Sequence, residues 1–252
     1  MIKILSIIFL ILLLLVGRSR GLKTFITFYL SLFLIIIYLF LMAMGFDSII
    51  ISIIICILSS VVSLFLLNGY NLKTKAAFRA IMVVLIFIFT VTYLIGSNAN
   101  IQGFSMESIE SIGGFSHDIN YDMTKLFIGM YLVCAIGTII DTSISISSAL
   151  NEVYVNNKKL NQKELFLSGM NIGRDILATT INTLFFALVS TFIGFMMWHR
   201  EANIEFIINY SSFVQRVFEL FIAFIGSILV IPISSFISSK MLLNEKNKEE
   251  EE

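Results

Sequence analysis

The residue best placed to do chemistry is Asp141, in the run GTIIDTSISISSALNE. Apolar residues dominate the stretch that leads into it. A carboxylate at the centre of a membrane helix costs about 2.5–3.5 kcal/mol on insertion scales, so it must face protein or water. Thr138 stands one turn before it, and Ser145, Ser148 and Glu152 follow at helical spacing, so all five share one helix face. A second polar stripe lies in SGMNIGRDILATTINT, where Asn171, Asp175, Thr179 and Asn182 again share a face. Gly169 and Gly173 in that run form a small-xxx-small pattern for close helix contact, and Gly137 would let another helix approach one turn from Asp141. The expected arrangement has the two stripes meeting. Thr179 or Asn182 would hydrogen-bond Asp141, and Arg174 would help to neutralise it. The chemistry that fits is reversible binding of a proton or small cation, which changes the charge on Asp141 and with it the helix contacts. The plainer alternative is an acid that fixes helix pairing, with Arg174 and Asp175 as interfacial anchors.

Other chemistry is poorly supplied. No HExxH, GxSxG or Walker A pattern occurs. Serine–histidine catalysis needs a buried histidine, and His117 and His199 both fall in loops. His117 with Asp118 and Asp122 reads as an ordinary wet loop rather than a metal site. An aspartyl enzyme would need Asp141 and Asp175 to face each other, and their depths differ. No catalytic residue, metal site or cofactor is expected. Cys56 and Cys134 both lie in apolar runs without a CxxC partner.

The elements that must carry these residues are membrane helices. The chain has 252 residues, 58% hydrophobic and 13% charged, with a mean hydropathy of +0.94. Soluble domains carry about 25% charged residues. The 17 basic and 17 acidic residues cancel, which leaves no field for nucleic acid. A bilayer core needs about 20 apolar residues of helix. The sequence predicts an all-α, polytopic bundle of about seven spans, at 2–17, 24–45, 48–67, 78–96, 126–150, 176–198 and 217–239, forming a single domain over 1–239. The runs do not alternate, which rejects a barrel. The first run is short and carries Lys3; Arg18, Ser19 and Arg20 follow it in place of a small-residue cleavage site, so it reads as a retained helix.

Basic residues set the orientation. With the N-terminus out and the C-terminus in, only Lys3, Lys125, Arg200 and Arg216 of the 17 basic residues fall outside. The inner loop 151–168 is expected to hold a short surface helix leading into the sixth span. The tail 240–252, rich in Lys and Glu, is expected to be solvated and disordered. Pro232, the only proline, would free the Ile228 carbonyl, with Ser227, Ser234, Ser235 and Ser238 available to satisfy the freed groups.

GTIIDTSISISSALNEV, then ELFLSGMNIGRDILATTINTLFFA, then GSILVIPIS resemble the YibE/F family of bacterial membrane proteins, most strongly between Gly137 and Ala187. The resemblance marks Gly137, Asp141, Glu152, Gly169, Gly173, Arg174, Asp175, Asn182 and Thr183 as signature positions. It implies a multi-pass protein of the bacterial cytoplasmic membrane, of the shorter YibF-like type that lacks an outer domain. It also implies a longer YibE-like partner. A fainter likeness to one membrane half of RND and SecF-type proteins implies proton or sodium coupling by intramembrane polar residues, although those halves carry a large outer domain where Gly45 to Asp47 here is a tight turn. The functional expectation is a permease or ion-coupled transport component using Asp141. The alternative is a non-transporting subunit that assembles with a partner membrane protein or with itself. An enzyme acting on lipid ranks below both.

Overall fold

A computed structural model describes residues 2–98, 122–198 and 203–251. The loop 99–121, with His117 and Asp118, and the segment 199–202, with His199, lie outside the described residues. The described residues are helical, with short turns and no strand. The elements are α1 (Ile2–Ala43), α2 (Ser48–Val61), α3 (Leu72–Asn98), α4 (Met123–Asn156), α5 (Gln162–Trp198), the short α6 (Ile204–Asn209) and α7 (Ser211–Glu251). A π-turn, Val62–Leu66, continues α2.

Six segments are long and apolar enough to cross a membrane: Arg20–Ala43, Ser48–Leu66, Leu72–Gly96, Thr124–Asn156, Gln162–Ile193 and Ser211–Glu245. They correspond to the second to seventh expected spans. The first run is helical too, but shorter than a crossing of about 20 residues. It is a separate arm. Arg18 breaks α1 with φ 46° and ψ −125°, a region that non-glycine residues seldom enter. Phe9 and Phe25 rings then lie 6.3 Å apart, whereas sixteen residues of straight helix would separate them by about 24 Å. The arm therefore folds back on the rest of α1, where Ser6 also hydrogen-bonds Tyr29.

Local chemistry fixes the helix starts. The Asp47 carboxylate caps α2, accepting from Ile49 N at 3.0 Å. Asp122 caps α4 through Thr124 N at 3.1 Å. Asn161 and Glu164 form a reciprocal capping box at α5, with both bonds at 2.9 Å. That box corrects the expectation of a surface helix in the loop 151–168. After the turn at 157–161, residues 162–168 are the first turns of α5 itself, and no breaker follows until the far end of the span. At the other terminus α7 runs on to Glu251, where disorder is expected; Lys and Glu are good helix formers and extend the span into the charged tail.

The core lies where α3, α4 and α7 meet, with α2 against α4. Ile81, Val84 and Ile88 interleave with Ile128, Leu132 and Ile139, and with Ile222 and Val230. A second cluster towards the other end joins Ile146 and Leu150 of α4 to Leu165 of α5 and Ile231 and Leu242 of α7. The ends of the bundle agree with the expected topology. Lys125 reaches Asp47 at 3.1 Å, so the α1–α2 turn and the start of α4 share one end.

Candidate functional site

The polar residues of α4 divide between two faces. One face is wholly buried. Ser143 and Ser147 are four residues apart, and Ser234 and Ser238 of α7 match that spacing. Their hydroxyls form a ladder: Ser143 to Ser234 at 3.2 Å, Ser234 to Ser147 at 3.1 Å, and Ser147 to Ser238 at 2.9 Å. Backbone closes it, since Ser143 Oγ lies 3.2 Å from Ala77 O of α3 and Ser234 Oγ lies 3.2 Å from Ser143 O. The hydroxyls of Ser227 and Thr142, on the same two helices, find no acceptor among the described residues. Sequence reasoning missed this ladder. It assigned Ser234 and Ser238 to the carbonyl freed by Pro232, whereas both turn across to α4. Two Ser-x-x-x-Ser pairs on spans running in the same direction were the signal that could have found it.

The other face carries Asp141, and it is open. Asp141 and Glu152 are exposed, and Thr138, Ser145 and Ser148 are half-buried. Thr138 donates to Ala135 O of its own helix at 2.9 Å. Among the described residues, the Asp141 carboxylate has no hydrogen bond or ion pair. By the helix rise it stands about 27 Å from the start of α4 and about 22 Å from its end, deep in the span.

The partner stripe does not reach it. On α5, Asn171, Arg174, Asp175, Thr179 and Asn182 are all exposed. Thr179 donates to Ile176 O at 2.8 Å, and Thr183 to Thr179 O at 2.9 Å. Arg174 reaches Asn171 Oδ1 at 3.5 Å rather than Asp141. The expected bonds from Thr179 or Asn182 to Asp141, and the neutralisation by Arg174, are therefore absent among the described residues. The cause lies in how α5 docks. Its contact face is Leu165, Gly169 and Gly173. A Cβ at Gly169 would meet Ser235 Oγ at 2.6 Å and Leu150 Cδ1 at 2.9 Å, and one at Gly173 would overlap Ile231. The two glycines do serve helix contact, but they hold α5 chiefly to α7. The Asn171–Asn182 stripe projects away from that seam. Gly137 is a further correction: among the described residues nothing lies within 4 Å of its Cβ position, so no described helix uses the approach it offers.

One ion pair sits near the start of α7. Arg216 Nη1 lies 2.8 Å from Glu219 Oε2, beside a groove of about 120 Å³ against Leu184, Leu188 and Thr191 of α5. Among the described residues no three His, Cys, Asp or Glu side chains come together as metal ligands would.

The profile of YibE/F-like proteins matches residues 5–244, nearly the whole chain. The chain belongs to the YibE/F-like family. No curated protein and no solved structure matches it. For this YibE/F-like protein the match and the six crossing-length helices together establish an integral membrane protein.

Proposed function

We propose that the chain is a membrane subunit that assembles with a second membrane chain through the polar faces of α4 and α5, with Asp141 at that contact. One observation carries this reading: a carboxylate deep in α4 is exposed and has no partner among the described residues. Facing acyl chains, it alone would cost about 2.5–3.5 kcal/mol. Asn171, Asp175, Thr179 and Asn182 would add to that cost from the neighbouring helix. A helix bearing hydrogen-bond donors, from a longer YibE-like chain or a second copy, would remove it. Gly137, with open space before it, suits close approach of such a helix.

The depth of Asp141 favours a second role within the same contact. A carboxylate shared between two chains can take up a proton or a small cation and alter the contact as it does so. On this reading the assembly is an ion-coupled permease or part of one. Its setting is a bacterial cytoplasmic membrane, with the basic loops and the C-terminus inside.

Two substitutions separate the roles. Asp141→Asn keeps shape and hydrogen bonding but cannot titrate, and Asp141→Leu removes both. The expected result is that Asp141→Leu splits the complex isolated from native membranes, while Asp141→Asn leaves it whole. Recovery of an intact complex with leucine would end the assembly reading. The purified assembly in liposomes is expected to pass protons or sodium, and Asp141→Asn to stop this; undiminished flux with asparagine would end the coupling reading.

A further inference from the structure

A second feature lies on another side of the bundle, between α3 and α7. There a groove of about 520 Å³ opens beside Arg79 and Lys240. Arg79 is seven residues into α3, about 10 Å from its start, and Lys240 stands where the apolar part of α7 gives way to its charged tail. Both cations are exposed, and neither makes an ion pair among the described residues. The Arg79 guanidinium rests instead on the Met241 thioether, Nη1 to Sδ 3.6 Å, and sulfur is a weak acceptor. Asn244 adds an amide donor at the same end, and among the described residues no acidic side chain lines the groove. The wall beyond is apolar: Met82, and Val83 and Phe236, which are 49% and 51% exposed.

This combination is polar at one end, cationic, rich in donors and oily at the other, and it is the complement of a phosphodiester on an acyl chain. Basic pockets between membrane helices bind such headgroups. We infer that this groove binds an anionic phospholipid, with its phosphate between Arg79, Lys240 and Asn244 and an acyl chain laid over Val83 and Phe236. A free phosphate would leave the apolar wall unused, and a zwitterionic headgroup would bring a cation of its own against Arg79 and Lys240. The site lies apart from the α4–α5 polar face, so it stands or falls independently of the proposed assembly.

The test uses the full chain, delipidated in a neutral detergent, with dioleoyl-phosphatidylglycerol, dioleoyl-phosphatidylcholine and inorganic phosphate as probes. Bound lipid is counted by native mass spectrometry, and the thermal midpoint is followed in parallel. Phosphatidylglycerol is expected to bind at least about tenfold tighter than phosphatidylcholine and to raise the midpoint. Arg79→Gln with Lys240→Gln is expected to weaken phosphatidylglycerol by about tenfold and leave phosphatidylcholine unchanged. Arg79→Lys with Lys240→Arg, which keeps both charges, is expected to restore most of the binding. Equal binding of the two lipids overturns the inference, and that comparison needs no variant. So does full binding by the double glutamine variant, or a midpoint shift from inorganic phosphate as large as that from the lipid. A second protein chain held by the wild type in place of lipid, and lost with the glutamines, would also overturn it.

Discussion

Gly137 and Gly169 allow a matched test of the packing. Both are helical glycines on polar, small-residue helices, and from spacing alone both suit close helix contact. The structure separates them. A methyl at Gly137 meets nothing within 4 Å, while one at Gly169 comes within 2.6 Å of Ser235 Oγ and 2.9 Å of Leu150 Cδ1. Ser235 and Leu150 are both fully buried, so neither can swing aside into lipid. Glycine to alanine favours any helix by about 1 kcal/mol. That gain is common to both sites and cancels in the comparison. What remains at Gly169 is the overpacking cost, about 1–3 kcal/mol for an extra carbon forced into a closed contact. Gly137→Ala is therefore expected to match or exceed the wild type, and Gly169→Ala to fall below Gly137→Ala by 1–3 kcal/mol. For a chain of this size that is roughly 2–4 °C of thermal midpoint per kcal/mol. The assay is thermal unfolding of the purified monomeric chain in a mild detergent, followed by circular dichroism. Equal midpoints for the two alanine variants would refute the docking of α5 on α7. A fall at Gly137 alone would mean that a helix of this chain covers the Asp141 face.

Three other outcomes follow from the same geometry. Ser147→Ala and Ser234→Ala are each expected to destabilise by about 0.6 kcal/mol, the usual worth of an interhelical hydrogen bond in a membrane protein, and the double variant by less than the sum; strict additivity in steric-trapping unfolding would deny the ladder. Gly137→Leu is expected to leave monomer unfolding no lower than wild type and to weaken the complex from native membranes, and an undisturbed complex would count against the proposed contact. At the turn before α2, hydrogen bonding from Lys125 holds the Asp47 carboxyl below its ordinary range, helped by the Ile50 and Ile49 amides, while partial desolvation opposes them. The stability from that pair is fully present above the ordinary carboxylate value of about 3.9 and is lost as pH falls through the lowered one. Asp47→Asn keeps a cap but loses the ion pair, so it is expected to cost under about 1 kcal/mol at pH 7, with the gap closing below pH 4. A gap that does not shrink as the pH is lowered below 4 would refute the assignment.

What could be read in advance depended on which physical rule was at work. Hydropathy places spans because the bilayer demands long apolar helices wherever they pack, and the runs at 24–45 and 48–67 stand nearly where drawn. The capping box at Asn161 and Glu164 was present in the letters, yet the polar composition of 151–168 drew attention to the membrane surface instead. Helical periodicity correctly put Asp141 with Ser145, and Asn171 with Asp175, on common faces. It could not say which face meets which helix. That choice was made by volume, since Leu165, Gly169 and Gly173 fit against Ile231 and Ser235, and no one-dimensional spacing carries that fit. Ser143 and Ser147 were passed over because serine in a membrane helix normally returns its proton to its own backbone. The groove at Arg79 and Lys240 joins residues 161 positions apart, and each had been read only as a topology marker.

The ladder between α4 and α7 contains only alcohols and amide carbonyls. None of these groups changes charge anywhere near neutrality. Two of its bonds have a fixed direction, because the Ala77 and Ser143 carbonyls can only accept from Ser143 and Ser234. The seam is thus indifferent to acidity, and acidification alone does not loosen it. Acidity acts on this protein outside that seam, as at the Asp47–Lys125 pair, while the centre keeps its shape.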